Sequence, residues 1–201
     1  LITGAAIGIV NILYTEAVSI DRMEGYAPQQ PVKFSHKVHA GENNIDCMYC
    51  HHNASHSKSA GFPSTSLCMN CHQVIAEGTR SGDFEINKIT RAMEDSVALR
   101  WIRIHQLPDH VFFSHAQHVG VAGLDCQKCH GPVEEMDVMR QHAKLSMGWC
   151  LDCHRSMDVN MLENDYYKKT FEEYHRELVE GKIDSVTVAD IGGTDCMKCH
   201  Y

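Results

Sequence analysis

Every cysteine in this chain falls into one repeated pattern: Cys47-Met48-Tyr49-Cys50-His51, Cys68-Met69-Asn70-Cys71-His72, Cys126-Gln127-Lys128-Cys129-His130, Cys150-Leu151-Asp152-Cys153-His154 and Cys196-Met197-Lys198-Cys199-His200. Two thiols three residues apart can form thioethers to the two vinyl groups of one porphyrin. The adjacent histidine then lies beneath the iron as its proximal ligand. C-x-x-C-H is the attachment signature of c-type haem, so the five motifs predict five covalent haem c groups, with His51, His72, His130, His154 and His200 as iron ligands. Paired cysteines also build zinc sites and disulfides. Zinc does not require a histidine after each pair, and with 15 His in 201 residues five such coincidences have chance odds on the order of a few in a million.

Five porphyrins change what a chain of this length can build. They leave about forty residues per cofactor, and each is an apolar plate that the polypeptide must wrap. The expected fold is therefore mostly irregular with a few α-helices, a multihaem cytochrome c packed around its haems. A mean hydropathy of -0.31 with 22% charged residues fits a water-facing protein built on such a core. The formal net charge of -8 argues against nucleic acid and allows docking to a basic partner. No nucleophile, general base, phosphate loop or carboxylate pair forms an interpretable constellation.

The chain carries an internal duplication. Phe34-Ser35-His36-Lys37-Val38-His39 ahead of Cys47 recurs as Phe113-Ser114-His115-Ala116-Gln117-His118 ahead of Cys126, and Gly41 and Asp46 recur as Gly120 and Asp125. A second haem motif follows each copy. The organisation reads as dihaem module 1 over residues 34–80, a connecting helix and loop over 81–112, dihaem module 2 over 113–156, and a helix with the fifth haem over 157–201. Ile86, Ile89, Met93 and Val97 predict the connecting helix; Leu162, Tyr166, Phe171, Tyr174 and Leu178 predict another, stopping at Gly181.

The opening run from Leu1 to Val10 is apolar almost through Tyr14. Residues 1–20 read as a retained N-terminal membrane helix, shorter than a full span and expected to continue a longer segment, with 21–33 as linker. The chain is likewise expected to end short of its natural C-terminus. Haem attachment to paired thiols happens outside the bacterial cytoplasmic membrane, so the haem region is expected on the periplasmic side of the inner membrane.

Sixth ligands decide function: iron with two protein ligands is built for electron transfer, whereas an open position admits substrate. Ten histidines remain beyond the proximal five. The F-x-H-x-x-H elements resemble those of the small multihaem cytochromes of the c3 and c7 type. That resemblance implies that His36 serves the haem on His51 and His115 the haem on His130, while His39 and His118 each reach a different haem. His52, directly after a motif, matches a family position serving a neighbouring haem. His142 is a further candidate; His56 and His105 rank behind it, and His110 and His175 read as surface or packing residues. Met136, Met139 and Met147 offer an alternative sixth ligand, with porphyrin packing as the plainer reading of each.

Longer strings go beyond generic haem motifs. Gln30-Pro31-Val32-Lys33-Phe34-Ser35-His36, Gly61-Phe62-Pro63-Ser64-Thr65, Trp101-Ile102-Arg103-Ile104-His105-Gln106-Leu107-Pro108 and Leu145-Ser146-Met147-Gly148-Trp149-Cys150 closely resemble the pentahaem subunit of alternative complex III, a bacterial quinol:electron acceptor oxidoreductase. The resemblance implies an electron-transfer subunit without a catalytic site of its own. Its implied partners are an iron–sulfur subunit, quinol-binding integral membrane subunits and a downstream monohaem cytochrome or terminal oxidase. Similar strings occur in multihaem subunits of periplasmic molybdopterin reductases. A soluble shuttle cytochrome and a haem enzyme are the other readings; reductases of the pentahaem nitrite type commonly use a lysine-terminated motif, and all five motifs here end in His.

Overall fold

The computed structural model describes residues 2–19 and 23–200. Short helices alternate with long irregular stretches. Among the described residues no strand forms, and extended backbone pairs only in isolated bridges at Gly78–Gly82, Val111–His200 and Asp158–Thr187. The mostly irregular, partly helical class expected from sequence is what the chain adopts.

Helix α1 is Ile2–Ser19, with Ile7, Val10, Ile12, Leu13 and Tyr14 exposed along it. In line with a stretch read as shorter than a full span, no helix among the described residues is long and apolar enough to cross a membrane. Gly4, Gly8, Asn11, Thr15 and Glu16 dilute an element of only 18 residues, about 27 Å of helix. Leu1, the anchor–linker junction at residues 20–22, and Tyr201 lie outside the described residues.

The haem motifs fold in two ways. The first and fifth form one-turn helices, α2 (Cys47–Cys50) and α9 (Cys196–Cys199), each started by an aspartate. Asp46 accepts the Met48 N–H at 2.7 Å and Asp195 the Met197 N–H at 3.1 Å, satisfying donors that a helix start leaves free. The third motif forms α5 (Gln127–His130) behind Asp125. The second and fourth instead end longer helices, α3 (Thr65–His72) and α6 (Met147–Ser156). The connecting helix α4, Phe84–Glu94, packs on α3 and buries Glu85, Ile86 and Ile89. It stops short of Val97, since Ser96 adopts φ +53°, a left-handed turn that a continuing helix cannot contain.

The duplicated copies pack on each other reciprocally. Each F-x-H-x-x-H element runs into a π-helical turn, Lys37–Glu42 in the first copy and Ala116–Val121 in the second. The first turn docks on residues 133–136 of the second copy, where the Lys37 N–H donates to the Met136 carbonyl at 3.0 Å. The second docks on residues 52–57 of the first, where the Ala116 N–H donates to the Ser57 carbonyl at 2.9 Å. A Cβ at Gly41 would strike the Glu134 carbonyl, and one at Gly120 the Ser55 carbonyl. These pairs keep one constant sequence offset, so the copies are related by a pseudo-twofold exchange of contacts. Arg80 adds a clasp, pairing with Glu42 of the first copy at 3.1 Å and with Asp137 of the second.

The C-terminal region holds the one sizeable apolar cluster among the described residues. Val159, Met161, Tyr167 and Val186 are buried, with Phe171, Tyr174, Leu178, Ile183 and Val188 packed around them. The single helix expected here is two, α7 (Asp165–Thr170) and α8 (Glu172–Val179), broken at Phe171. Phe171 leaves helical backbone at φ -128°, ψ 55° and turns its ring into the cluster. Elsewhere the polypeptide buries little: Val32, Ala54, Ile86, Ile89, Met136 and Ala143 are scattered. A chain with so thin a core of its own must draw stability from apolar surface it does not itself supply.

Candidate haem sites

Each proximal histidine is held by the same device, a hydrogen bond at Nδ1 that leaves Nε2 free for a metal. His51 Nδ1 bonds the Gly61 carbonyl at 3.1 Å, His72 the Ile75 carbonyl at 3.0 Å, His154 the Gly193 carbonyl at 2.5 Å and His200 the His110 carbonyl at 3.3 Å. His130 differs, its Nδ1 meeting the Nε2 of His105 at 3.2 Å.

The F-x-H-x-x-H elements are built identically. Phe34 stacks on His39 with ring centres 4.3 Å apart and meets His36 edge-on at 4.9 Å. Phe113 does the same to His118 at 4.4 Å and His115 at 5.0 Å. His39 Nδ1 bonds the Ser35 carbonyl and His118 Nδ1 the Ser114 carbonyl, both at 2.8 Å. All four imidazoles are half-buried.

These rings face proximal ones. His39 lies 6.1 Å from His72, His115 lies 6.4 Å from His130 and His118 lies 6.1 Å from His154, centre to centre. Iron shared by two imidazoles, with metal–nitrogen bonds of about 2 Å on each side, sets ring centres about 6 Å apart, so the residues fit bis-histidine haem. His36 lies beside His51; burial first, then the charges of His51 and His39, lowers its pKa to about 4. Burial, followed by His105 and other imidazoles, lowers that of His130 to about 3. Both are thus neutral imidazoles at physiological pH, the form that ligates metal.

The remaining candidates are placed differently. His52 and His56 are exposed, 6.3 Å from each other, and neither faces a proximal ring in the contacts described. His142 is exposed and packs against Gly131, the residue after His130. Met147 is 67% exposed and Met136 is buried; with His118 across from His154, the fourth site has an imidazole without calling on a methionine. His110, which sequence reasoning set aside, stacks on His200 at 5.5 Å. The Val111–His200 bridge brings it there, a long-range pairing that carries no local signal.

Among the described residues no cysteine is in a disulfide. Among the described residues no three His, Cys, Asp or Glu side chains converge on a common metal position, the arrangement a structural zinc would need. Burial first and then adjacent thiols raise several cysteine pKa values, and the neighbours reveal the layout. Cys50 senses Cys68 and Cys71, Cys126 senses and hydrogen-bonds Cys47, Cys129 senses Cys153 and Cys150, and Cys150 senses Cys199. Asn70 also donates to the Tyr49 hydroxyl at 3.0 Å, joining the second motif to the first. Proximity thus links the second motif to the first, the first to the third, the third to the fourth and the fourth to the fifth.

Such paired imidazoles and thiols at successive motifs fit c-type haem attachment with two histidine ligands to each iron. Residues 15–107 match the class III cytochrome c family. Over 103 residues the chain is 35% identical to the multihaem cytochrome c subunit of a menaquinone reductase from Nitratidesulfovibrio vulgaris, an alignment covering 51% of this chain and 46% of that protein. The chain spans about half the length of the curated relative it matches.

Proposed function

We propose that this chain is the pentahaem electron-transfer subunit of a membrane-bound respiratory quinone oxidoreductase of the alternative complex III or menaquinone reductase kind. The observation that carries the reading is the row of proximal–distal imidazole pairs, 6.1 to 6.4 Å apart, strung through adjacent motifs. Covalent haem supplies one-electron chemistry at each site. The chain's own residues hold and orient it: ten cysteines by thioether, five proximal histidines, and His36, His39, His115, His118 and His110 opposite them. Phe34 and Phe113 fix the distal rings. Modules 34–80 and 113–156 each hold two haems, and 157–201 brings the fifth beside the fourth.

The row ends at the second and fifth motifs, which contain the two exposed cysteines, Cys71 and Cys196. In this reading an iron–sulfur subunit docks at one end and a monohaem cytochrome or terminal oxidase at the other. Quinone chemistry belongs to integral membrane subunits, and the haem region faces the periplasm with α1 packed among those subunits. Support for the membrane setting is the exposed apolar surface of α1 and the likeness to a menaquinone reductase subunit.

Mass spectrometry of the proteins that co-purify with this chain from gently solubilised native membranes tests the assignment. Recovery of an iron–sulfur protein with quinone-binding membrane subunits is the expected result; recovery of a molybdopterin enzyme, or of the chain alone, would overturn it.

A further inference from the structure

Four proximal histidines, His51, His72, His154 and His200, give their Nδ1–H to backbone carbonyls, whereas His130 gives its own to another side chain. We propose that His105 is a positioning residue for the third haem site, its Nε2 accepting the His130 Nδ1–H and lowering that site's reduction potential below that of its duplicate around His51. The inference rests on the haem-binding reading above.

The geometry is specific. His105 meets His130 nearly edge-on, rings 82° apart with centres at 4.3 Å, which points an sp² nitrogen at the proximal ring. A proximal histidine that ligates through Nε2 carries its proton on Nδ1, so it must donate, and His105 must then present an unprotonated Nε2. An imidazole nitrogen is a stronger acceptor than an amide carbonyl. A stronger bond at Nδ1 makes Nε2 more basic and favours the oxidised iron. The distal side of the same site points the same way. His115 Nδ1 bonds the Lys58 carbonyl at 3.0 Å, whereas the equivalent Nδ1 of His36, itself out of contact with solvent, has no acceptor. Two haem sites that the duplication makes alike in sequence are thus unlike in the basicity of both axial ligands.

The test is a spectroscopic redox titration of the intact holoprotein, native and with His105→Leu and His105→Gln. Leucine removes the acceptor; glutamine places an oxygen near the position of Nε2. In His105→Leu one of five midpoints should rise, by about tenfold in the reduced-to-oxidised ratio or 59 mV for a one-electron couple, with all sites still low-spin. Glutamine should restore much of the difference. Unchanged midpoints in His105→Leu with five haems retained would overturn the proposal. So would loss of one low-spin signal, which would make His105 an iron ligand itself. A native chain lacking haem at Cys126 and Cys129, read from peptide masses, would instead sink the haem reading, so the two failures are distinguishable.

Discussion

The imidazole of His39 lies 6.1 Å from that of His72, centre to centre, although His72 belongs to the motif after the one His39 precedes. The second copy repeats the relationship between His118 and His154 at the same spacing. The second histidine of each F-x-H-x-x-H element is thus placed against the motif histidine of the second site of its own module, and on the proposed haem reading the native protein is expected to offer no open iron at these positions. Replacing His39 or His118 with alanine should leave one haem five-coordinate. Each variant, once reduced, should bind about one carbon monoxide per chain while the native protein binds essentially none; variants that bind none would refute the pairing.

Gly41 and Gly120 are each irreplaceable for the same reason, the backbone carbonyl of the opposite copy at van der Waals contact or closer. A methyl group at either must push the two copies apart. Gly41→Ala and Gly120→Ala are each expected to cost about 1–3 kcal/mol, read as a lowered urea midpoint. Gly148, with nothing near its Cβ position, is the control, and Gly148→Ala should leave stability within about 0.5 kcal/mol.

Glu85 makes stability depend on pH. Its burial alone would raise its pKa, but the Lys88 ammonium and the Lys33 N–H, both at 2.8 Å, outweigh that and hold it below the ordinary carboxylate range. The unfolded chain therefore binds this proton more readily than the folded one. The stabilisation is complete above the unfolded pKa and is lost as pH falls through the lower folded value. Glu85→Gln should be less stable at pH 7 by about 1–3 kcal/mol, with the gap to the native protein closing in acid. A gap that stays constant from pH 7 to pH 3 would contradict this origin.

Met161 anchors the C-terminal cluster at 1% exposure. Met161→Ala should cost about 2–5 kcal/mol and loosen the segment that brings the fifth motif beside the fourth. The expected signature is a selective change in the spectrum of one haem together with a lower thermal midpoint.

The C-x-x-C-H motifs and the duplicated F-x-H-x-x-H elements were legible because their residues recur at short, local spacings. The dock of Gly41 on Glu134 was not, since the sequence shows that the copies match but not that they exchange contacts. The break at Phe171 was hidden because its apolar spacing suits one helix, and only the pull of the Met161 cluster favours two. The contacts of His110 and His105 were not legible for a shared reason: each reaches its neighbour through the fold, across 90 residues to His200 and 25 to His130. The proximity of successive sites likewise depends on contacts between motifs distant in sequence, such as Cys47 with Cys126.

The central claim is that all five motifs carry covalent haem. The mass of the intact protein under denaturing conditions, after expression with the haem-attachment machinery, tests it most directly. The account predicts one dominant species carrying five haems. A species with fewer, or one whose cysteines are disulfide-bonded or loaded with zinc, would contradict it.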